Sequence, residues 1–269
     1  MKDQETTKYP NFFIIGFQKS ATSTLHTLLK ATNQISLPIN KETHFFSDEI
    51  IFNRGIDWYT KQFFFNGKHK IVGEVDPSYI YIDKVASNIK QYIENPKFIL
   101  ILRKPIDRAY SHYKMSCTRG YEKNTFVDAL NLEKERLLSG DDFKVKNFSY
   151  KDRGNYAFQI SRFKGVFSDS EFLYLDFDNL SDENNRNKLI LSLLAFIDID
   201  IDENFNFNIH ENKASKIRFR FIQKLLYTNY SFRRFVSKII KSDILKSKIK
   251  NLIVNLNSKS FQDSIDNTL

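Results

Sequence analysis

The chain has a single cysteine, Cys117, among its 269 residues, so no disulfide can form within it. Stability must come from packing, and the length together with 26 phenylalanines allows a sizeable core. A lone cysteine fits a reducing cytoplasm, and a cytoplasmic location is expected on that ground, with peripheral contact at the inner membrane surface as a secondary expectation. No run approaches the ~18 apolar residues that a membrane span needs. The polar start MKDQETTKYP lacks the apolar segment of a secretory signal. No internal repeat is found, and no His/Cys/Asp spacing of the zinc or EF-hand kind, so no metal is expected.

Charge is unevenly distributed. The net charge is +9, yet residues 213–250 hold twelve Lys/Arg against Asp243 alone, a local +11 that leaves about −2 for the remainder. This stretch alternates apolar and basic residues (FIQKLLYTNYSFRRFVSKIIKSDIL), the pattern of one or two amphipathic helices. Two readings stay open for it: a helix packed by its apolar face with a solvated basic side, or contact with an anionic membrane. A nucleic-acid partner is not expected.

Against this background, residues 12–25, FFIIGFQKSATSTL, carry the strongest signal. Phe12 to Ile15 is a short uninterrupted apolar run, as in a strand buried on both faces. Gly16 permits a sharp turn, and Leu25, Leu28 and Leu29 begin a helical apolar face. Lys19, Ser20, Thr22, Ser23 and Thr24 fall at that helix's N-terminus, where free N–H groups and the dipole favour an anion such as phosphate. A Walker loop would need a second Gly before the Lys, and Gln18 stands there instead.

The segment resembles the 5′-phosphosulfate loop of sulfotransferases that use PAPS (3′-phosphoadenosine 5′-phosphosulfate), with Gly16, Lys19, Ser20, Ala21, Thr22, Ser23 and Thr24 at the family's positions. Ala21 departs from the common Gly. Downstream, KFILIL (97–102) is a second buried-strand pattern, followed by Arg103, Pro105 and a helix-like run over 106–115. ILRKPIDRAYSHY resembles the family's 3′-phosphate segment, which implies Arg103 and Ser111 as ligands of that phosphate. The run KETHFF resembles the heparan-type carbohydrate sulfotransferases. It implies Glu42 as general base, with His44 as rival base or support. Lys41 suits either the acceptor side or solvent.

Weaker likenesses follow. GIDWYTKQF (55–63) and GEVDPSYIY (73–81) resemble segments that shape the acceptor cleft, which makes Trp58, Tyr59 and Glu74 acceptor-side candidates. Trp58 and Tyr59 suit sugar stacking and core packing equally. Val75 replaces a Lys found there in some relatives. RGNYAFQISRF (153–163) offers Arg153 for phosphate or acceptor, whereas Tyr156, Gln159 and Phe163 share a helical face suited to packing. A third strand pattern spans 171–180. NKASKIRFRF (212–221) falls where the family closes a basic loop on the nucleotide, with Lys213, Ser215 and Arg218 as candidates.

The resemblance implies one P-loop-like three-layer α/β/α domain over 1–269, with a central, mostly parallel sheet. Its family-like core would span 11–220, and 221–269 would be a basic helical extension. It implies sulfuryl transfer from PAPS, leaving PAP, to a hydroxyl or amine of a glycan or other acceptor without a metal. A P-loop nucleotide kinase is the enzymatic rival, which binding of PAP (adenosine 3′,5′-bisphosphate) without ATP binding excludes. A basic binding protein acting through 213–250 is the non-enzymatic rival.

Overall fold

The computed structural model describes residues 9–180, 182–201, 205, 215–217, 252–253 and 258–260. The chain divides into two compact units, one of residues 1–108 and 152–210, the other of 109–151 and 211–269.

The first unit is built on a five-stranded sheet: β1 (Phe12–Gly16), β2 (Ile35–Ser36), β3 (Ile71–Val75), β4 (Lys97–Leu102) and β5 (Phe172–Asp176). The order is β2-β3-β1-β4-β5, and every pairing is parallel. Parallel strands need crossovers, and helices α1 (Thr22–Ala31), α2 (Glu49–Phe52), α3 (Ile56–Thr60) and α4 (Val85–Lys90) lie among them. The strand alternation explains the layers. Phe12, Ile14, Ile99 and Ile101 point to one face, where they meet Leu25, Leu28 and Leu29 of α1. Phe13, Ile15, Phe98 and Leu100 point to the other, among Phe45, Phe46, Tyr79, Ile89 and Phe163. The three-layer α/β/α expectation is met, and β1 is buried along its whole length.

Backbone packing is tight at the centre. Gly73 of β3 is paired with Phe12, and a Cβ there would sit 2.1 Å from the Phe12 ring. The chain leaves β1 towards β2 and β3 on one side, then crosses to β4 on the other, so the strand order reverses beside β1. In open α/β sheets ligands bind at the C-terminal strand ends at such a reversal.

Helix α5 (Pro105–Thr118) begins in the first unit with Pro105 at its first position, where a missing N–H costs nothing, and extends past the expected 106–115. The second unit holds its later turns with α6 (Phe126–Leu138) and α7 (Asp142–Phe148). There Glu122 receives both terminal nitrogens of Arg136 and the Tyr150 hydroxyl. Back in the first unit, Gln159 and Phe163 of α8 (Tyr156–Val166) are buried and Tyr156 is half-buried, as their spacing predicts. The third strand pattern is shorter than expected: β5 ends at Asp176, and a 3₁₀ turn occupies Phe177–Leu180. Helix α9 (Glu183–Phe196) then covers the α1 face of the sheet. Of the expected helical extension over 221–269, nearly all lies outside the described residues; β6 (Ser215–Ile217) and β7 (Ser258–Ser260) pair antiparallel.

Candidate functional site

The loop between β1 and α1 has the shape of an anion cradle. Lys19 and Ala21 both have positive φ, 74° and 61°, in a region that L side chains seldom occupy. Ala21 is the N-cap of α1 and has no side chain that can accept from the first turn, which also contains no acidic residue. The positive end of the α1 dipole is thus left to a group outside the helix. Ser20 is fully buried, and its Oγ has no hydrogen-bond partner among the described residues. Thr22 is buried, Thr24 is half-buried and Ser23 is exposed.

Arg103, just past the end of β4, reaches into the same loop. Its Nη1 donates to the carbonyl of Lys19 at 2.8 Å, and its guanidinium lies 4.2 Å from the Phe177 ring. Its Nε is buried and has no partner among the described residues. Burial draws its pKa below the ordinary value. Tyr156 fixes the strand end by donating its hydroxyl to the Arg103 carbonyl at 2.9 Å. A buried unsatisfied hydroxyl, a buried guanidinium N–H and an uncapped helix N-terminus suit an anionic ligand with phosphate-like oxygens. Ser111 is half-buried on α5 in the second unit.

The KETHFF segment adjoins this loop. Lys41 Nζ lies 3.2 Å from Ser23 Oγ and 2.8 Å from Glu42 Oε1, so one ammonium joins the helix start to the carboxylate. Glu42 and His44 are each about one-third exposed, and Glu42 Oε2 lies 3.8 Å from His44 Nε2. His44 Nδ1 lies 2.7 Å from Oδ2 of Asp76, a residue with no exposed surface. Glu42, His44 and Asp76 offer atoms within 4.8 Å of one another, a spacing that also suits a cation. The direct 2.7 Å contact is that of a histidine–carboxylate pair.

Three acceptor-side expectations are corrected. Glu74 lies inside β3 with no exposed surface, because four donors converge on it: Thr43 N–H at 3.1 Å, Thr43 Oγ1 at 2.5 Å, Tyr59 hydroxyl at 2.7 Å and Tyr79 hydroxyl at 3.1 Å. Burial, reinforced by the Asp76 charge, pushes its pKa up to about 7. Tyr59 is equally buried, between Phe45 and Phe63, so it packs the core. Arg153 is 4% exposed and stacks 4.0 Å over Tyr81; burial lowers its pKa to about 10. Trp58 is half-buried, with Phe45 near one face and the Arg54 guanidinium 5.1 Å from its ring. Lys213 and Arg218 lie outside the described residues, and of Ser215 only the backbone position in β6 is described.

Two contributors escaped the sequence reading. Thr43, inside KETHFF, ties that segment to Glu74. Asp76 was readable as a carboxylate before Pro77 at the end of a buried segment, where open sheets place ligand groups.

Comparison with known proteins places these features in context. A family model described as the sulfotransferase domain matches residues 9–266. The membrane-associated sulfotransferase kil1 of Dictyostelium discoideum is 36% identical over 110 residues, 40% of this chain and 23% of that protein. Human heparan sulfate glucosamine 3-O-sulfotransferase 5 is 27% identical over 176 residues, 65% of this chain and 49% of that protein. The chain therefore spans only about a quarter to a half of the length of these curated relatives. A sulfotransferase crystal structure from Alicyclobacillus acidocaldarius shares the fold, with a TM-score of 0.64 at 23% identity, covering 91% of this chain and 96% of that one. The expected cytoplasmic location does not stand, since the 36%-identical relative is membrane-associated by name. Among the described residues no helix is long and apolar enough to cross a membrane. With its model matched almost end to end, the chain belongs to the sulfotransferase domain family.

Proposed function

We propose that this protein transfers the sulfuryl group of PAPS to a hydroxyl or amine of a carbohydrate acceptor. One observation carries the reading: Lys41 joins Ser23 of the anion loop to Glu42, which sets a candidate base beside the donor's place. The names of the heparan sulfate relatives support a glycan acceptor.

Sulfuryl transfer, like phosphoryl transfer, demands little covalent work from the protein and much positioning and charge stabilisation. In this reading the N–H groups at the start of α1 and the hydroxyls of Ser20, Thr22, Ser23 and Thr24 hold the 5′-phosphosulfate. Arg103 holds the 3′-phosphate, which selects PAPS over ATP, and the family resemblance also implies Ser111, Lys213, Ser215 and Arg218 as nucleotide ligands. Lys19 neutralises charge on the departing phosphate oxygen, which leaves no step that requires a metal. Glu42 removes the proton of the attacking group. Lys41, 2.8 Å from Glu42, aligns that carboxylate, while Trp58 flanks the acceptor side.

The test is transfer of labelled sulfate from PAPS to O-desulfated heparin, with PAP binding measured in parallel. Wild type should turn over and bind PAP in preference to ATP. Glu42→Gln should lose about 10²–10⁴ in kcat with PAP affinity unchanged. Full turnover by Glu42→Gln removes the base assignment; ATP binding without PAP binding removes the whole reading.

A further inference from the structure

His44 stands between two carboxylates, and the arrangement gives Asp76 a task. Asp76 directly follows β3 and is anchored on both sides: its N–H donates to the Ile14 carbonyl at 3.1 Å, and its Oδ1 accepts the Ser78 N–H at 3.0 Å. Its other oxygen, Oδ2, is buried and makes no hydrogen bond of regular geometry among the described residues. A buried carboxylate oxygen without a donor is costly, and the ring nitrogen His44 Nδ1 lies 2.7 Å away. His44 is held in turn. Its φ is +55°, and its carbonyl accepts the N–H groups of Ser47 and Asp48 and the Ser47 hydroxyl. A proton on Nδ1 leaves the lone pair on Nε2, the nitrogen 3.8 Å from Glu42 Oε2.

We infer that Asp76 is a positioning residue: it holds His44 as the Nδ1–H tautomer, so that Nε2 receives the proton that Glu42 takes from the acceptor. The catalytic consequence rests on the proposed sulfuryl transfer; the tautomer does not. The acceptor O–H bond breaks, its proton passes to Glu42, and the oxygen's electron pair forms the new O–S bond. The S–O bond to the donor phosphate breaks, and its electron pair leaves on that phosphate. Glu42 hands the proton to Nε2, which restores the carboxylate and leaves an imidazolium between two negative charges. The logic is that of a buried aspartate setting a histidine's tautomer beside a reacting group. The other charges around this set are Lys41 on Glu42, with Glu74 and Arg153 acting electrostatically on Asp76.

Long-range ¹H–¹⁵N spectra of the full chain, labelled at histidine, read the tautomer without turnover. Wild type should show the Nδ1–H pattern for His44, unchanged by EDTA. Asp76→Asn should lose it, keep its affinity for PAP within about twofold, and lower kcat on O-desulfated heparin by ~10-fold or more at little-changed KM. In a His44→Ala background the same substitution should cost nothing further in kcat, because Asp76 acts through His44. Additive losses, an Nε2–H tautomer in wild type, or a spectrum shifted by EDTA overturns the inference. If Asp76→Asn does not fold, the wild-type spectrum decides. Absent turnover by wild type counts against the sulfuryl-transfer reading and leaves the tautomer to the spectra.

Discussion

Glu74→Gln tests the fold's most unusual polar contact, a carboxyl in a central strand with no exposed surface. Gln keeps the size and an acceptor oxygen for the fixed Thr43 N–H, while the hydroxyls of Thr43, Tyr59 and Tyr79 can turn to suit an amide. At pH 4.5 both side chains are neutral in the folded state, and the exchange should cost about 1 kcal/mol. As pH rises the two proteins diverge. The folded pKa is raised from 4.5 to about 7, so over that window the native state binds more protons than the unfolded chain. Wild-type stability must then fall as pH rises from about 4.5 to 7 and level off above. At about 1.4 kcal/mol per pH decade the loss approaches ~3 kcal/mol. For a chain of this size that is a fall in Tm of roughly 6–12 °C, absent in the variant. Circular-dichroism melts of both proteins from pH 4.5 to 8 measure the difference, and titrations common to both cancel. The curves should cross, with Glu74→Gln the more stable at pH 8. Parallel curves would refute the reasoning, since they would mean that the four donors hold Glu74 ionised throughout.

Lys19→Ala should lower kcat by ~10²–10³ while leaving PAP binding nearly intact, because its charge is needed most as the phosphate leaves. Arg103→Ala should do the reverse: loss of charge-assisted hydrogen bonds should weaken PAP binding by ~10–100-fold in calorimetry, with kcat at saturation little changed. Gly73→Ala would drive a methyl group into the Phe12 ring, 2.1 Å from its nearest atom, and should cost about 1–3 kcal/mol in denaturant unfolding. Ala21→Gly should raise Tm by ~1–3 °C, because relief of the positive φ outweighs the added chain entropy; a fall in Tm would show that Ala21 is not strained.

Legibility in the sequence followed the physics of each segment. Strand β4 was readable residue for residue, since in KFILIL an unbroken apolar run follows Lys97, between a Pro-bearing loop and Arg103. Strand β3 was not, because Gly73 and Glu74 interrupt its apolar pattern, and both are there for tertiary reasons. Gly73 makes room for Phe12, and Glu74 gathers the hydroxyls of two buried tyrosines. The same clasp settles Tyr59, whose ring could not be assigned to sugar or core until its hydroxyl found Glu74. The candidate base segment and the anion loop were legible as motifs, since each is contiguous. The His44–Asp76 pair was not, because the two are 32 positions apart and meet only when the KETHFF segment docks on the end of β3 through Thr43 and Glu74.

The loop's departure from Walker spacing has a structural counterpart. Glycine would adopt left-handed backbone without strain, whereas Lys19 and Ala21, the latter where the family commonly has Gly, adopt it at a cost of about 1–2 kcal/mol each. Such residues persist only where neighbours over-determine them. The Ser20 N–H is bonded to the Phe17 carbonyl inside the turn, and the Lys19 carbonyl is held by Arg103 from the end of β4. Arg103 therefore has two roles in one side chain, since it fastens a strained loop and presents beside it an Nε that has no partner among the described residues. A ligand bearing a second anionic group would engage the residue that already stabilises the grip on the first. That coupling follows from an arginine at the end of the neighbouring strand, on the far side of the reversal in strand order, and a glycine-wrapped loop would not need it.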